Sequence, residues 1–364
     1  MTDDRRSPLH AVQEAAGAEF YWEDGWPWAM KFSADPIPEY EAIRTGAGLW
    51  DLYSTIKYEV RGPDAGRLIQ RRATNDLSNL EVGQVRYAAF VNADGLMMDD
   101  GNTYRLAEDR YWVMINSAGL EDWFRESAGG LDATVEDVTD ERPMMSIQGP
   151  ASRDVLGGLT DRDLGDLRWF RFWPEPVQVA GADAYVLRTG FSGELGFEVV
   201  ADPGSIEGVW TALAEAGGVP FGLDAVDLAR VEAGLIIIGV DYQPGETSPW
   251  DLSMDRFIKT DTECVGATAL AQLGAAPQRR FKTLRIGSET PPEAGAAVTK
   301  DGESVGTVTS PSASPRLGTI GLAILRTDVA TDGEKVEVGA GDGAVPATVE
   351  PLSLYDPQKQ KPRS

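Results

Sequence analysis

Residues Tyr87–Asp100 read YAAFVNADGLMMDD, and the surrounding chain is organised around the hairpin that this stretch predicts. Strand-forming residues up to Val91 precede an Asn-Ala-Asp-Gly turn, in which Gly95 is free to adopt a positive φ. The second arm ends in two carboxylates directly after an apolar run. Because side chains alternate along a strand, Asp99 and Asp100 face opposite ways, and one of them is predicted to point inward. A solvated strand end is the alternative interpretation.

The composition excludes several classes of function. The chain has 364 residues and a net charge of −25, so the phosphates of nucleic acids and anionic membranes would be repelled. One cysteine (Cys264) and one histidine (His10) rule out an internal disulfide, and they leave almost nothing for a Cys/His zinc site or a Ser-His-Asp triad. We therefore expect no metal site, and we interpret Cys264 as a core residue.

Nothing in the sequence indicates export. Arg5 and Arg6 precede a polar segment rather than a continuous apolar one, so we interpret the twin arginine as chance. No apolar stretch approaches membrane-spanning length. The expected location is the cytoplasm.

Short strands and helices alternate over the first three quarters of the chain. An N-terminal arm (1–18) with some helix leads into FYWEDGWPW (Phe20–Trp28), whose aromatic density indicates a stapled loop or a domain contact, with a ligand wall as the alternative. The segment Leu49–Val60 predicts a strand, and a second aromatic run, RWFRFWP, occupies Arg168–Pro174. Because no Gly-rich dinucleotide turn separates these elements, the region is predicted to be α+β rather than a doubly wound nucleotide-binding fold.

Two further patterns mark candidate ligand contacts. Glu198 has apolar neighbours on both sides in a predicted strand, so it faces either water or a polar site. A helix predicted to be capped by Asp224 carries its apolar stripe through Leu228. Val226 lies about 200° around that helix from Leu228, where a polar residue is expected. The apolar side chain is therefore unusual.

The composition changes after a predicted linker at Leu273–Gln278. From Phe281 to Leu354, short Val/Thr/Ile runs alternate with Gly, Pro and Asp turns, which predicts a small barrel or a sandwich. The tail after Asp356 is polar and is expected to fray.

Nine stretches of this chain occur in the order found in one family. They are AGLWDLYS (Ala47–Ser54), GPDA (Gly62–Ala65), TNDLSNLEVGQ (Thr74–Gln84), Tyr87, Asn92–Asp100, IQGP (Ile147–Pro150), RTGFSGELGFEV (Arg188–Val199), GLDAVDLARVEAGL (Gly222–Leu235) and VGTVTSPSASPRLGTIGLAIL (Val305–Leu325). Through them the chain resembles the T-protein (aminomethyltransferase) of the glycine cleavage system and its relatives, which include folate-dependent demethylases such as dimethylsulfoniopropionate demethylase. The resemblance covers essentially the whole chain.

The resemblance implies an α+β fold of two ferredoxin-like α/β units plus a C-terminal small β-barrel, arranged as a three-domain ring around tetrahydrofolate. The corresponding domains are a folate-binding region at 1–273 and a barrel at 281–356. The first region is expected to comprise two α+β units, at approximately 1–150 and 151–273, which can be interleaved along the chain.

The resemblance also implies roles for individual residues. Asp100 matches the family's catalytic aspartate, and one of three aromatic residues, Phe172, Trp173 or Phe191, is expected to form a wall beside the pterin. The residues expected to bind tetrahydrofolate are Tyr87, Asp100, Asn116, Phe172, Trp173, Phe191 and Glu198, and those expected to contact the substrate are Trp26, Asp99, Val226 and Trp250. No metal is implied.

The residue types suit this chemistry. A reduced pterin is a flat ring with N–H donors along one edge, so it is matched by aromatic faces and by a carboxylate acceptor such as Glu198. Its N5 gains positive charge as it accepts a one-carbon unit, and a buried carboxylate such as Asp100 can stabilise that charge or take the released proton.

Departures from the T-protein pattern bear on the substrate. Val226 stands where T-proteins carry an arginine that touches the ligand, Phe191 replaces a tyrosine, and Asp251 replaces a glutamate. The loss of the arginine removes a charge and several donors. We therefore predict a demethylase that moves a methyl group from a small N-, S- or O-methylated compound to N5 of tetrahydrofolate. A T-protein acting on a lipoylated carrier protein and a non-catalytic folate-binding protein are the alternatives.

Overall fold

The computed structural model describes residues 5–23, 25–339 and 341–364. Residues 1–4 of the predicted N-terminal arm and Asp24 of the aromatic segment lie outside the described residues. The strands are β1 (Glu19–Glu23), β2 (Trp26–Lys31), β3 (Gly48–Asp51), β4 (Ile56–Arg61), β5 (Val85–Val91), β6 (Met97–Ala107), β7 (Arg110–Ile115), β8 (Thr134–Asp137), β9 (Met144–Gln148), β10 (Val177–Val179), β11 (Ala182–Leu187), β12 (Gly196–Ala201), β13 (Val219–Pro220), β14 (Arg279–Ile286), β15 (Ala297–Lys300), β16 (Glu303–Ser314), β17 (Gly318–Arg326), β18 (Lys335–Val338) and β19 (Val345–Glu350).

Helices connect and cover these strands. The α-helices are α1 (His10–Ala15), α2 (Ile37–Thr45), α3 (Ala65–Gln70), α4 (Glu121–Glu126), α5 (Ser152–Gly157), α6 (Ile206–Glu215), α7 (Leu223–Ala233) and α8 (Ala267–Ala275), and the 3₁₀ turns are Leu164–Asp166, Asp255–Phe257, Gly341–Gly343 and Lys361–Arg363. None of the helices in the described part of the chain has the length and apolar character needed to cross a membrane.

The predicted hairpin is confirmed as β5 and β6. Gly95 has φ +73°, and the side chain of Asn92 accepts the backbone N–H groups of Asp94 and Leu96, so local turn chemistry sets the register. The pair lies at one edge of a five-stranded antiparallel sheet with the order β5-β6-β7-β4-β8. A Cβ on Gly101 would lie 2.0 Å from the Met114 carbonyl oxygen, so β6 and β7 approach closely there because the residue is glycine.

A second sheet has six strands in the order β10-β11-β12-β9-β3-β13. β3 precedes every strand of the five-stranded sheet in the chain, yet it pairs with β9 and β13. The two sheets are therefore interleaved in sequence. The segment predicted as one strand at Leu49–Val60 is divided between them, because a turn at residues 52–55 carries the chain from β3 to β4.

The C-terminal region is a closed barrel with the strand order β14-β17-β16-β15-β18-β19. Closure follows from β14, which pairs with both β17 and β19. Alternate residues such as Leu284, Val308 and Val349 fill the interior. The predicted fold class, α+β units followed by a small barrel, is confirmed.

Besides the divided segment Leu49–Val60, three further local predictions were wrong. Asp224 lies in the first turn of α7, whose N-cap is Gly222. The predicted linker at Leu273–Gln278 is helical as far as Ala275, because α8 packs Leu270 into an apolar cluster. The tail after Asp356 is docked rather than frayed: Pro362 is buried, and Arg188 donates to the carbonyl oxygen of Ser364. The polar composition of the tail did not reveal that its backbone carbonyl oxygens would accept hydrogen bonds from the buried Arg188.

A buried ion network joins the α+β units to the barrel. Arg44 on α2 donates to Glu232 on α7 at 3.0 and 2.7 Å and to Glu194 at 3.2 Å. The side chains of Arg44 and Glu232 are completely buried. Glu232 also accepts hydrogen bonds from Tyr40 at 2.7 Å and from Ser314 of barrel strand β16.

Replacing Arg44 with methionine should destabilise the protein strongly. Glu232 and Glu194 would remain buried without their cation, a change that costs about 3–5 kcal/mol. Urea unfolding measures the loss. Arg125→Met is the matched control, because its ion pairs with Glu121 and Asp122 are exposed and contribute little. Equal stability of the two variants would contradict the structural role assigned to Arg44.

Candidate functional site

A cavity of about 1900 Å³ lies where the two sheets, the barrel and the C-terminal tail meet. Of the residues predicted to bind tetrahydrofolate or substrate, seven line it, namely Trp26, Tyr87, Asp100, Asn116, Phe191, Glu198 and Val226. They come from strands, loops and one helix that are far apart in sequence. The cavity is therefore the candidate site.

Asp100 is buried at the cavity wall between two tyrosines. Tyr87 donates its hydroxyl to one carboxylate oxygen at 2.7 Å, and Tyr242 donates to the other. Burial, reinforced by the charge of Asp99, raises the pKa of Asp100 to about 7. A carboxylate with a pKa near neutrality exchanges protons readily at physiological pH, which is the property that a general base or acid requires.

Asp99 faces away from the cavity, as strand alternation requires. Its two oxygens accept four N–H groups: the backbone amides of Asp100, Asn116 and Ser117, and the side-chain amide of Asn116, at 2.7 to 3.2 Å. Burial raises the pKa of Asp99, and these donors oppose the rise. Asp99 therefore fixes the backbone at Asp100 and the side chain of Asn116, whose amide also donates to the Asp100 carbonyl oxygen at 2.9 Å.

A second carboxylate, Glu198, is buried in another part of the cavity wall. It accepts hydroxyl hydrogen bonds from Thr189 and, at 3.3 Å, from Tyr104. Burial raises its pKa, whereas these two donors and the positive charge of Lys57 lower it. Lys57 is itself fully buried, donates to three backbone carbonyl oxygens, and has its pKa lowered to about 7 by that burial.

The wall also carries an unpaired acceptor. Asn102 follows Asp100 on the same face of β6 and stands opposite Tyr87 in the hairpin register. Its side-chain oxygen is buried without a hydrogen-bond partner in the described structure. Together with Glu198, it gives the cavity two acceptors suited to the N–H edge of a reduced pterin, so the residues present fit the ligand that the resemblance implies.

An apolar and aromatic surface forms a further part of the cavity. Phe191 stacks on Trp50 with ring centroids 6.4 Å apart, and both belong to the cluster that contains Val226. Val226 is only 1% exposed. Trp26 and Trp28 project from one face of β2 into the same cavity.

Four residues predicted to contact ligand lie outside the cavity lining. Asp99 is turned away as described. Phe172 is buried behind Tyr104, with ring centroids 5.7 Å apart, and Trp173 packs against the core of the six-stranded sheet. Trp250 donates its indole N–H to the Leu270 carbonyl oxygen at 2.8 Å, which fixes it against α8. These side chains support the site from behind.

Several site residues were not found from the sequence. Tyr242 lies 142 positions from the aspartate that it contacts, and no local pattern marks it. Asn102 could have been found as the residue that shares a strand face with Asp100. Lys57, which acts on Glu198 from outside the cavity lining, carried a signal too, because it is the single cation in the predicted strand Leu49–Val60. No group of three or more His, Cys, Asp or Glu side chains suited to a metal ion occurs within the described residues.

Comparison with known proteins gives consistent matches. A family model described as the GCVT N-terminal domain matches residues 9–262, and one described as the glycine cleavage T-protein C-terminal barrel domain matches residues 279–356. A solved structure of glycine cleavage system aminomethyltransferase T from Bartonella henselae superposes with a TM-score of 0.87 at 27% identity, covering 97% of this chain and 99% of that chain.

The curated relatives include proteins named aminomethyltransferase and one named trimethylamine-oxide aldolase. An aminomethyltransferase of Saccharopolyspora erythraea is 33% identical, covering 98% of this chain and 99% of that protein. A probable aminomethyltransferase of Halobacterium salinarum is 36% identical, covering 92% of this chain and 94% of that protein. A trimethylamine-oxide aldolase of Ruegeria pomeroyi is also 36% identical, covering 91% of this chain but only 44% of that protein.

Asp100→Asn should raise the melting temperature by a few degrees at pH 8, and the gain should shrink toward pH 5. The raised pKa means that ionising Asp100 opposes folding above its unfolded-state pKa, with the full cost present above about pH 7. Asparagine removes that charge, and the two tyrosine hydroxyls can reorient to pair with an amide.

Asp99→Asn is the contrasting control. Its amide NH₂ would face N–H donors that cannot reorient, so the melting temperature should fall at both pH values. Thermal denaturation of both variants and wild type measures the difference. A fall for Asp100→Asn at pH 8 equal to that of Asp99→Asn would show that the two carboxylates are equivalent, contrary to this assignment.

Proposed function

Because the chain belongs to the glycine cleavage T-protein family of tetrahydrofolate-dependent transferases, we propose that it moves a methyl group from a small methylated donor to N5 of tetrahydrofolate beside Asp100. The observation that carries the choice of donor is the apolar, buried Val226 in the cavity wall. An arginine at this position in T-proteins is expected from the resemblance. Valine offers neither its charge nor its donors, which favours a donor whose transferred carbon rests on an apolar surface.

The surroundings of Val226 suit a cationic methylated group. Asp224 and Asp227 flank it on α7, and both line the cavity. Because Asp227 is paired with Arg230 at 2.7 Å, Asp224 supplies most of the negative charge there. The aromatic faces of Trp50 and Phe191 lie in the same cluster. A methylated ammonium or sulfonium donor would gain cation–π contacts with the rings and long-range attraction to the carboxylates.

The chain's own residues divide the work of transfer. When bound, tetrahydrofolate supplies the nucleophilic nitrogen N5. Asp100 takes the proton that N5 loses as the methyl carbon bonds to it, while the donor heteroatom departs with the electron pair of the broken bond. Tyr87 and Tyr242 hold the Asp100 carboxylate in place, and Glu198 and Asn102 orient the ligand by accepting N–H groups.

A second candidate function is aminomethyl transfer from a lipoylated carrier protein. The names of the relatives favour it, since those matched along nearly their whole length are aminomethyltransferases. The relative named for trimethylamine oxide connects the same family with a methylated nitrogen compound. A non-catalytic folate-binding protein is disfavoured, because it would not require a buried carboxylate held ready for proton transfer.

An anaerobic assay with tetrahydrofolate separates the candidates. We expect 5-methyltetrahydrofolate from at least one member of a panel of N-, S- and O-methylated donors, and no methylenetetrahydrofolate from aminomethylated lipoyl carrier protein. Val226→Arg should lower kcat/KM for a cationic donor by more than about tenfold through charge repulsion, with Val226→Leu as the volume control. Turnover of the carrier protein alone would establish the second candidate instead.

The pH dependence tests the role of Asp100. As a general base it must be ionised, so kcat/KM should rise with pH through about 7 and level off above it. Asp100→Asn should reduce kcat by roughly 10²–10⁴-fold while tetrahydrofolate still binds. Calorimetry and single-turnover rates measure the two effects separately. An unchanged pH profile in a still active Asp100→Asn variant would remove Asp100 from the reaction.

A further inference from the structure

A row of four side chains crosses the five-stranded sheet on the face that borders the cavity. Register pairs its members across neighbouring strands, from β5 through β6 and β7 to β4, and they are Tyr87, Asn102, Met114 and Lys57. Residues paired in register project from the same face of a sheet. The first three line the cavity, so Lys57 at the end of the row points to the same side of the sheet.

A second row crosses the six-stranded sheet. Three residues that line the cavity are aligned by register on β3, β9 and β12, namely Trp50, Ser146 and Glu198. The two rows approach each other at Glu198, which accepts a hydrogen bond from Tyr104, two residues after Asn102 on the same face of β6. Lys57 lies two strands from Asn102, at about 10 Å by the usual strand spacing. The charge of Lys57 therefore acts on Glu198 across the junction of the two sheets.

The ammonium group of Lys57 is held by the turn at residues 52–55, which joins the two sheets. Lys57 is fully buried, and it donates to the carbonyl oxygens of Leu52 at 3.3 Å, Tyr53 at 3.5 Å and Thr55 at 2.6 Å. Three acceptors match the three N–H donors of an ammonium group. Carbonyl oxygens stabilise the positive charge without cancelling it, as a carboxylate would. The turn therefore presents a net positive charge inside the protein.

Four carboxylates surround this charge. Burial lowers the pKa of Lys57, and the attraction of each acid opposes that fall; in order of effect they are Asp51, Asp137, Glu198 and Asp140. Asp51 has hydrogen-bond donors of its own, since it accepts the side-chain amide of Gln13 at 2.7 Å and the backbone N–H of Tyr53 at 2.9 Å. Of the four acids, Glu198 is the one that lines the cavity. Lys57 thus connects the 52–55 turn with the ligand space through Glu198.

We propose that Lys57 is a positioning residue for tetrahydrofolate: without touching the ligand, its ammonium group keeps Glu198 as a carboxylate that accepts the N–H edge of the pterin. This inference rests on the proposed function, from which it takes the ligand. An ionised carboxylate offers only acceptors, whereas a protonated one turns a donor toward the donors of the pterin. Lys57 supplies its charge from outside the cavity lining, so it occupies none of the space that the ligand needs.

The environment of Glu198 shows why a remote cation is needed. Burial favours the protonated form of this side chain by raising its pKa. The hydroxyl groups of Thr189 and Tyr104 oppose that rise by hydrogen bonding, but they carry no charge. Lys57 is the positive charge that acts in the same direction. Charges at this separation interact strongly when both are buried, because solvent does not screen them.

Anaerobic calorimetry of tetrahydrofolate binding to wild type and Lys57→Met, between about pH 6 and pH 9, tests this role. Methionine keeps the approximate length of the side chain and removes its charge. The pKa of Glu198 should then rise, so the variant should bind about tenfold more weakly at about pH 6, since one pKa unit is a factor of ten. The difference should vanish by about pH 9, where Glu198 is ionised in both proteins and Lys57, with a pKa of about 7, is neutral. A loss of equal size at both pH values would be a packing defect and would overturn the inference.

Two further variants locate the effect. Glutamine cannot ionise, so Lys57→Met should cost no additional affinity in a Glu198→Gln background. Lys282→Met is the matched control, because this partly buried lysine of β14 pairs with Asp332 outside the cavity lining, and it should bind as wild type does. The same loss with and without Glu198 would contradict the assignment. So would disappearance of the loss in Asp51→Asn instead of Glu198→Gln.

A second measurement leaves Lys57 in place, since Lys57→Met removes the donors of three buried carbonyl oxygens and can prevent folding. In protein labelled with ¹³C at lysine Cε, NMR should show a lysine that titrates near neutral pH, and Glu198→Gln should move that titration to lower pH because an attracting anion is lost. Lys359→Gln removes the signal of the other lysine whose pKa burial lowers, which assigns that of Lys57. An unchanged Lys57 titration in Glu198→Gln would overturn the inference whether or not the ligand binds.

The outcomes separate this inference from the proposed function. If wild type did not bind tetrahydrofolate, the proposed function would be refuted together with the ligand assigned to Glu198. If wild type bound tetrahydrofolate and Lys57→Met bound it equally well at about pH 6, the proposed function would stand and the role of Lys57 would fall.

Discussion

The buried pairing of Arg44 with Glu232 and Glu194 is the constraint on which the cavity depends. A large cavity between three structural units persists only if the units are held at a fixed separation. Apolar side chains cannot hold them there by filling the cavity, because that space is needed for the ligand. Arg44 provides a directional connection instead, through charged hydrogen bonds to α7 and to the loop that carries Glu194. Ser314 and Lys361 attach the barrel and the tail to the same acids.

Burial of the Asp100 carboxylate lowers the stability of the fold, whereas the ion pairs of Arg44 hold the units together. The carboxylate is kept in a place where ionisation is unfavourable, so the site reduces the stability of the fold that contains it. The neighbouring Asp99 helps to hold this arrangement, because its carboxylate accepts four N–H groups from Asp100 on β6 and from Asn116 and Ser117 just after β7. Adjacent carboxylates thus have different tasks, one anchoring the strand and the other facing the ligand, and strand alternation alone separates them.

The cavity is electrically asymmetric. One part contains Val226, aromatic rings and the carboxylates of α7. Another contains the cations Arg256, Lys359 and Arg363, which form no salt bridge with the side chains that the structure describes. A ligand with an anionic end and a reaction partner with a cationic group would be drawn to different parts of the same space. In a chain of net charge −25, local cations are the exception, and their field would act on an anionic ligand that approaches from solvent.

Elements whose cause is local could be predicted from short stretches of sequence. Turn chemistry at Gly95 specified the hairpin, strand periodicity and turn residues specified the β-rich C-terminal region, and the order of the motifs indicated the family and the position of Asp100. Short-range patterns also marked Glu198 and the unusual Val226, both of which line the cavity.

Contacts between side chains that are distant in sequence depend on the tertiary fold. Tyr242 contacts Asp100 although the two lie 142 positions apart, and the cations of the tail line the same cavity as Arg256. Three aromatic residues that were expected to contact ligand lie outside the cavity lining, namely Phe172, Trp173 and Trp250. An aromatic residue packs equally well against protein or ligand, so its type does not specify its direction. That direction depends on the packing of whole units, which no short stretch of sequence encodes.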